Sequence, residues 1–256
     1  MSRRLILKSI HRKDTPILER LDVHDGNENP VARMFYETHI RRYQMTRDFL
    51  LLQNLPKNIR IVDAACALGY GYEYVNDLGN YLGLDYNQSV LDEAKHRYPQ
   101  GDFRQCDLNE GIPHWGPFDV VISHETVEHL KYPEGFIRSV NSCLKPRGLF
   151  MFAAPTSLMM DYDPFHTVDY NGMQWRSMLT RNGFEILRSV PISFTGKFTD
   201  FVKMAPTTLQ QKLRVATYGL IHSGYAWDRI WNWVLHNRFT QESTWIPCRK
   251  KYGVGV

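Results

Sequence analysis

Between residues 59 and 192 the chain alternates short apolar runs with stretches of helical period, and that rhythm fits a sheet of parallel strands joined by helices. IRIVDAAC (59–66) is a β-branched run that stops at small residues, as a buried strand entering a turn does. Further strands are predicted at 80–86, 102–107, 118–124, 149–155 and 184–192, with helices at about 70–78, 87–98, 133–145 and 172–183 between them. Asn87 or Ser89 caps the second of these helices, Pro146 and Gly148 stop the third, and Gly183 closes the fourth. The fold class is therefore α/β, a doubly wound, Rossmann-like, mostly parallel sheet, seven-stranded once the C-terminal strand expected over 243–253 joins these six.

Around this core the composition shifts. Residues 1–30 read as a loose basic arm, punctuated by Pro16, Gly26 and Pro30. A helix follows over 31–53, ended by Pro56, with one apolar stripe at Tyr36, Ile40, Tyr43 and Leu50 and a second at Met45, Phe49 and Leu52, so that its last turns are expected to be buried on two sides. From Lys197 to Val256 nine Lys or Arg stand against three Asp or Glu, which is +6 and leaves −2 for the rest of a chain of net charge +4. Four of the six tryptophans lie there. Helices are expected over 206–221 and 225–238, the second placing Trp227, Ile230, Trp231 and Val234 on one face. STWIPCRKKYG (243–253) is expected to return to the sheet as an edge strand. The organisation is thus an N-terminal arm and helix over 1–56, a core over 57–195, and a helical, Trp-rich basic lid over 196–256.

Several classes are disfavoured. No run approaches the length of a membrane-spanning helix. The N-terminus is basic without the apolar segment of a secretory signal, and a cytoplasmic protein is expected. The modest net charge argues against nucleic acid as a partner. Cys66, Cys106, Cys143 and Cys248 form no CxxC pair and read as free buried thiols.

A parallel sheet binds ligands beyond the carboxyl ends of its strands. At those ends stand Asp63, Asp85 and Asp107, one on each of three successive predicted strands. After Asp63 runs Ala64-Ala65-Cys66-Ala67-Leu68-Gly69-Tyr70-Gly71, small residues that let the backbone approach a ligand. Asp85, 22 residues after Asp63, is placed to accept from ribose hydroxyls, and Asp107 from an adenine amino group.

The stretch from Ile61 to Pro155 resembles the core of class I S-adenosylmethionine (SAM)-dependent methyltransferases. Asp63 to Gly71 resembles the first motif, Tyr81 to Asp85 the ribose-binding strand, Phe118 to Leu130 the fourth-strand motif, and Leu144 to Leu149 the L-K-P-G-G-x-L turn. Residues 27–50, with His39, Arg42 and Tyr43, resemble the leader helix of bacterial methyltransferases associated with surface-glycan assembly. The resemblance implies SAM as cofactor, held by Asp63, Ala65, Ala67, Gly69, Asp85, Tyr86, Asp107, Leu108 and His124. The family has Gly where this chain has Ala67, a departure that keeps a non-catalytic SAM-binding scaffold as an alternative.

Methyl transfer from a sulfonium needs alignment and, for a hydroxyl acceptor, removal of a proton. The catalytic candidates are His166, His129 and Glu125. No metal is expected. Were one present, the E-x-x-E-H group on one helical face (Glu125, Glu128, His129) together with His166 would hold it, a spacing that resembles the site of small-RNA 2′-O-methyltransferases. The function implied is O-methylation of a small-molecule or glycan-like acceptor, with a metal-assisted RNA 2′-O-methyltransferase as a second alternative. A homodimer through the C-terminal helices is a further expectation.

Overall fold

The structure, a computed structural model, describes residues 30–156, 166–197 and 238–252. The expected basic arm, most of the segment before His166, and the two expected C-terminal helices with their dimer contact lie outside the described residues. In chain order the elements are α1 (Pro30–Leu51), β1 (Ile59–Ala64), α2 (Tyr70–Val75), β2 (Gly79–Asp85), α3 (Gln88–Arg97), β3 (Asp102–Gln105), β4 (Phe118–His124), α4 (Pro133–Cys143), β5 (Leu144–Pro155), α5 (Gly172–Arg181), β6 (Phe184–Ile186), β7 (Val190–Lys197) and β8 (Arg238–Lys250). Single 3₁₀ turns follow α2 and β4, at Asn76–Leu78 and Val127–His129.

The strands form one sheet in the order β3-β2-β1-β4-β5-β8-β6, with β7 also on β8. Strands β1 to β5 pair in parallel, whereas β8 is antiparallel to β5, β6 and β7. Seven sheet positions therefore hold eight strands, because β6 and β7 share the last one. Pro247 accounts for their separation. The Leu187 amide donates to the Pro247 carbonyl at 3.0 Å. The N–H and C=O of an extended residue point the same way, so the donor that Pro247 lacks is missing on this side, where the ladder lapses between Ile186 and Val190.

Three expectations are corrected here. The C-terminal strand is not at an edge: Ser243–Arg249 lies opposite Leu149–Pro155 on one side and β6 and β7 on the other. Burial on both faces follows, and Trp245, Ile246 and Cys248 are all core residues. The last turn of α1 is not buried on two sides, since Leu52 is 81% exposed while Tyr43, Thr46 and Leu50 are buried. Finally, β5 starts at Leu144 rather than at 149, with Arg147 at φ 62° absorbing a register shift before Val120 meets Leu149.

Alternation along the strands sends residues to two cores. Val62, Leu84, Val121, Phe150 and Phe152 pack with Phe136, Val140, Trp175 and Leu179 from α4 and α5. Ile61, Tyr81, Ile122, Met151 and Trp245 pack with Tyr43, Leu50, Val75, Val90 and Leu91 from α1, α2 and α3. The helix ends explain themselves locally. The Asn87 side chain accepts from the Ser89 amide at 3.0 Å, and Lys95, His96 and Arg97 lie in the last turn of α3, where the helix dipole favours cations. Asn171 and Gln174 form a reciprocal capping box on α5. All four cysteines are free and buried.

Candidate functional site

The first strand ends in a tightly wound turn. Ala65, Ala67 and Gly69 take φ of 64°, 47° and 78°, so three of five successive residues are left-handed. Each alanine there costs on the order of 1–2 kcal/mol relative to its ordinary conformation. Backbone bonds fix the turn: the Cys66 amide donates to the Leu84 carbonyl at 2.8 Å and the Gly69 amide to the Cys66 carbonyl at 2.9 Å. Gly71 lets α2 settle onto β1, for a Cβ there would overlap the Asp63 carboxylate and the Tyr43 ring.

Asp63 sits beneath this turn with no exposure and accepts from the hydroxyls of Tyr81 at 2.8 Å and Tyr43 at 3.0 Å. Burial pushes its carboxyl up to about 7, against the two donors, which pull it down. Asp63 thus props the turn from below. Asp85 ends β2 above it. Its carboxylate accepts from the amides of Ala67 at 3.1 Å and Asn87 at 2.9 Å. Burial raises its pKa, and those backbone donors oppose the shift. Asp107 organises the turn after β3, its Oδ1 accepting from the backbone and side-chain nitrogens of Asn109, both at 2.9 Å. Leu108 is buried beside it, while Tyr86 is 66% exposed at the rim.

At the end of β4, His124 is buried under the α1 helix. Its Nε2 is 3.3 Å from the Thr46 hydroxyl and its ring is 4.9 Å from that of Tyr43. Burial, then the charges of Arg42 and His39, hold its pKa well below the usual range, so the ring is neutral. The next residue departs from expectation. Glu125 does not share a helical face with Glu128 and His129. It is left-handed at φ 52°, its amide is tied to the Ala153 carbonyl at 2.9 Å, and only one 3₁₀ turn follows. The Glu125 carboxylate faces α1 and β8 instead, 3.3 Å from the buried Arg42 guanidinium and accepting from the Ser243 hydroxyl at 2.6 Å.

Glu128, His129 and His166 do come together. The rings of His129 and His166 stand 4.8 Å apart at 80°. Thr167 lashes the two segments, its amide donating to the Glu128 carbonyl at 2.7 Å and its hydroxyl to the Leu130 carbonyl at 2.5 Å. His166 is buried there rather than displayed on an open loop. Two neighbours were not singled out from the sequence. Asp169, 3.7 Å from the His166 imidazole, was signalled only by the H-x-x-D spacing, and Ser243 by nothing local, being 118 residues from Glu125.

Residues 62–152 match the family model described as a methyltransferase domain. That match spans the β1–β5 core, and there the chain is similar to methyltransferase domains. A protein of Mycolicibacterium smegmatis named "Probable S-adenosylmethionine-dependent methyltransferase" is 29% identical over 133 residues, covering 49% of this chain and 52% of that one. The bovine 18S rRNA (guanine-N(7))-methyltransferase is 39% identical over 72 residues, 27% of this chain and 26% of its own length. The chain thus spans little more than half the length of the mycobacterial relatives it matches. Among solved structures, magnesium protoporphyrin IX methyltransferase from Synechocystis with bound SAM covers 98% of both chains at TM-score 0.61 and 14% identity. The Bacillus subtilis YcgJ protein covers 83% of this chain and 99% of its own at TM-score 0.65 and 15% identity. These last two are likenesses of fold. Among the described residues no helix is long and apolar enough to cross a membrane.

Proposed function

We propose that the chain binds SAM across the ends of β1, β2 and β3 and transfers its methyl group to a hydroxyl of a small-molecule or glycan-like acceptor. The observation that carries the reading is Asp85, a buried carboxylate fixed by the Ala67 and Asn87 amides at the lip of a left-handed turn of small residues. A carboxylate so held is oriented to accept from two vicinal hydroxyls at once. Asp107 and Leu108 then border the base, and Ala65, Ala67 and Gly69 the chain between sugar and sulfonium.

In the reaction the acceptor oxygen forms a bond to the methyl carbon as the carbon–sulfur bond breaks, leaving a neutral thioether. The hydroxyl proton must leave the acceptor. The groups at the mouth able to draw it off are the imidazoles of His129 and His166. Glu125 is held by Arg42 and Ser243 and acts as a positioning residue that ties α1 and β8 to the mouth.

Calorimetric titration with SAM and transfer of labelled methyl to saccharide and small hydroxyl acceptors test this. Asp85→Ala is expected to weaken SAM by at least tenfold, since each bond to the carboxylate contributes about 1.5–3 kcal/mol. Binding within threefold of wild type would remove Asp85 from the pocket. Binding without turnover on any acceptor supports a scaffold, and turnover confined to RNA supports a nucleic-acid acceptor.

A further inference from the structure

At the amino end of the parallel strands, opposite the mouth, a half-open cavity of about 430 Å³ lies between the end of α1, the starts of β4 and β5, and the far end of β8. Its volume falls in the range of about 300–1,000 Å³ typical of small-ligand sites. Gln53, Asp119, Lys145, Pro146, Arg147 and Arg249 are among the residues that line it. Three of these are cations and one is an acid. The acid is already engaged: both Asp119 oxygens accept from Lys145 Nζ at 2.8 Å, and one of them also accepts from the Arg60 amide at 2.8 Å. Among the described residues neither Arg147 nor Arg249 has a carboxylate partner. Arg249 Nη2 donates to Gln53 Oε1 at 3.0 Å, and the Arg147 guanidinium lies 5.2 Å from the centre of the Tyr252 ring. The end of α1 does not take up the Arg249 charge either. Its Phe49 carbonyl accepts from the Leu52 amide at 3.2 Å and from Gln53 Nε2 at 3.3 Å, and its Leu50 carbonyl from the Gln53 amide at 3.0 Å.

Arg147 stands at this cavity with φ 62°, in the left-handed region that favours glycine. A cationic side chain kept on a strained backbone, beside a second guanidinium bonded only to a neutral amide, points to a ligand that draws on both. We propose that the cavity is a second binding site, for a phosphate monoester dianion held by Arg147 and Arg249. With Lys145 balanced by Asp119, these two residues leave the lining with an excess of two positive charges. A phosphate monoester, with a charge of about −1.5 to −2 at neutral pH, matches that excess, and a single carboxylate does not. Guanidinium groups present paired N–H donors to phosphate oxygens. Asp119 lies at the start of β4 and His124 at its end, so this site and the strand-end mouth stand at opposite ends of one strand. The proposal does not depend on the methyltransferase reading.

The same dianion occurs on soluble metabolites and on lipid headgroups, so two probes are used. Full-length protein is titrated calorimetrically with glycerol 3-phosphate. Its co-sedimentation with phosphatidylcholine vesicles is measured with and without phosphatidic acid. Both are done at about 0.15 M salt, where loose surface attraction is largely screened. One equivalent of glycerol 3-phosphate is expected to bind. Binding should be at least fivefold weaker in Arg249→Gln and in Arg147→Gly, and unchanged in Arg181→Gln, whose guanidinium is paired with Glu134. Arg147→Gly relieves the backbone, so its thermal midpoint is expected to equal or exceed that of wild type while its binding falls. That variant keeps the test decisive if Arg249→Gln does not fold. Binding to phosphatidic acid vesicles alone, lost in Arg147→Gly, supports the site and assigns it to a lipid headgroup. Failure of the wild type to bind either probe overturns the proposal. So does undiminished binding in Arg147→Gly, an equal loss in Arg181→Gln, or displacement of glycerol 3-phosphate by SAM, which would put the phosphate in the strand-end mouth.

Discussion

Ala67 is where residue-level chemistry and the family pattern meet. Its φ of 47° is a conformation that favours glycine, yet its amide is one of the donors fixing Asp85. The position therefore carries strain in exchange for a bond that orients the Asp85 carboxylate. Ala67→Gly removes about 1 kcal/mol of strain while adding chain entropy to the unfolded state. SAM affinity measured by calorimetry is expected to be equal or tighter in the variant, because the amide is retained and a methyl group is cleared from the turn. A marked loss of affinity would mean that the alanine methyl packs against the ligand. The sequence displayed the missing glycine and the three acids openly. It could not display that Asp63 props the turn from below while Asp85 is held at its lip by the Ala67 and Asn87 amides, since both read as an acid at a strand end.

At the scale of elements, Asp63 joins three of them: it sits on β1 and is held by Tyr43 from α1 and Tyr81 from β2. Spacing could place each of these residues on its element but not bring them to one carboxylate, which depends on α1 lying across the sheet. The E-x-x-E-H group fails for the opposite reason. Its spacing assumed a helix, and the left-handed Glu125 breaks the period before the first turn. The pH dependence of stability follows from the Asp63 environment. In the unfolded chain its carboxyl titrates near 3.9, and in the folded protein burial raises it to about 7. Between those values the folded state binds the extra proton. Its contribution is thus complete below the unfolded pKa and is lost as pH rises through 7, a change on the order of 4 kcal/mol at most. Urea unfolding of wild type and Asp63→Asn at pH 5 and pH 8 isolates it. The difference in unfolding free energy between the two proteins is expected to shift towards Asp63→Asn as pH rises. A difference constant to within about 1 kcal/mol would place the titration elsewhere.

For the whole molecule, the sheet closes through its last strand. The parallel half, β3-β2-β1-β4-β5, was legible because β1, β4 and β5 carry runs of buried β-branched and aromatic residues and helical stretches separate most of its strands. The C-terminal strand was recognisable as a strand but not as an interior one. STWIPCRKK mixes Pro247 with basic residues, a composition that suits an edge. What makes it interior is long-range. Trp245 donates its indole N–H to the Thr46 hydroxyl of α1 at 3.1 Å and meets Phe49 edge-on at 5.6 Å, while Lys250 donates to the carbonyls of Asn141 and Leu144 at 2.6 and 2.9 Å. The strand thereby ties α1, α4, β5, β6 and β7 into one cooperative unit, although it arrives last in the chain. Native-state hydrogen exchange distinguishes this from a frayed terminal strand. The amides of Thr244, Trp245, Ile246 and Cys248 are expected to exchange only through global unfolding, with the same opening free energy and denaturant dependence as those of Ile61 and Val121. Trp245→Ala should lower that common value by about 3–5 kcal/mol, the range for deleting a large buried aromatic, and should lower it equally for β1, β4 and β8. Exchange from β8 at a much smaller opening free energy than from β4 would show that the strand detaches on its own and that the parallel half is the true folding unit.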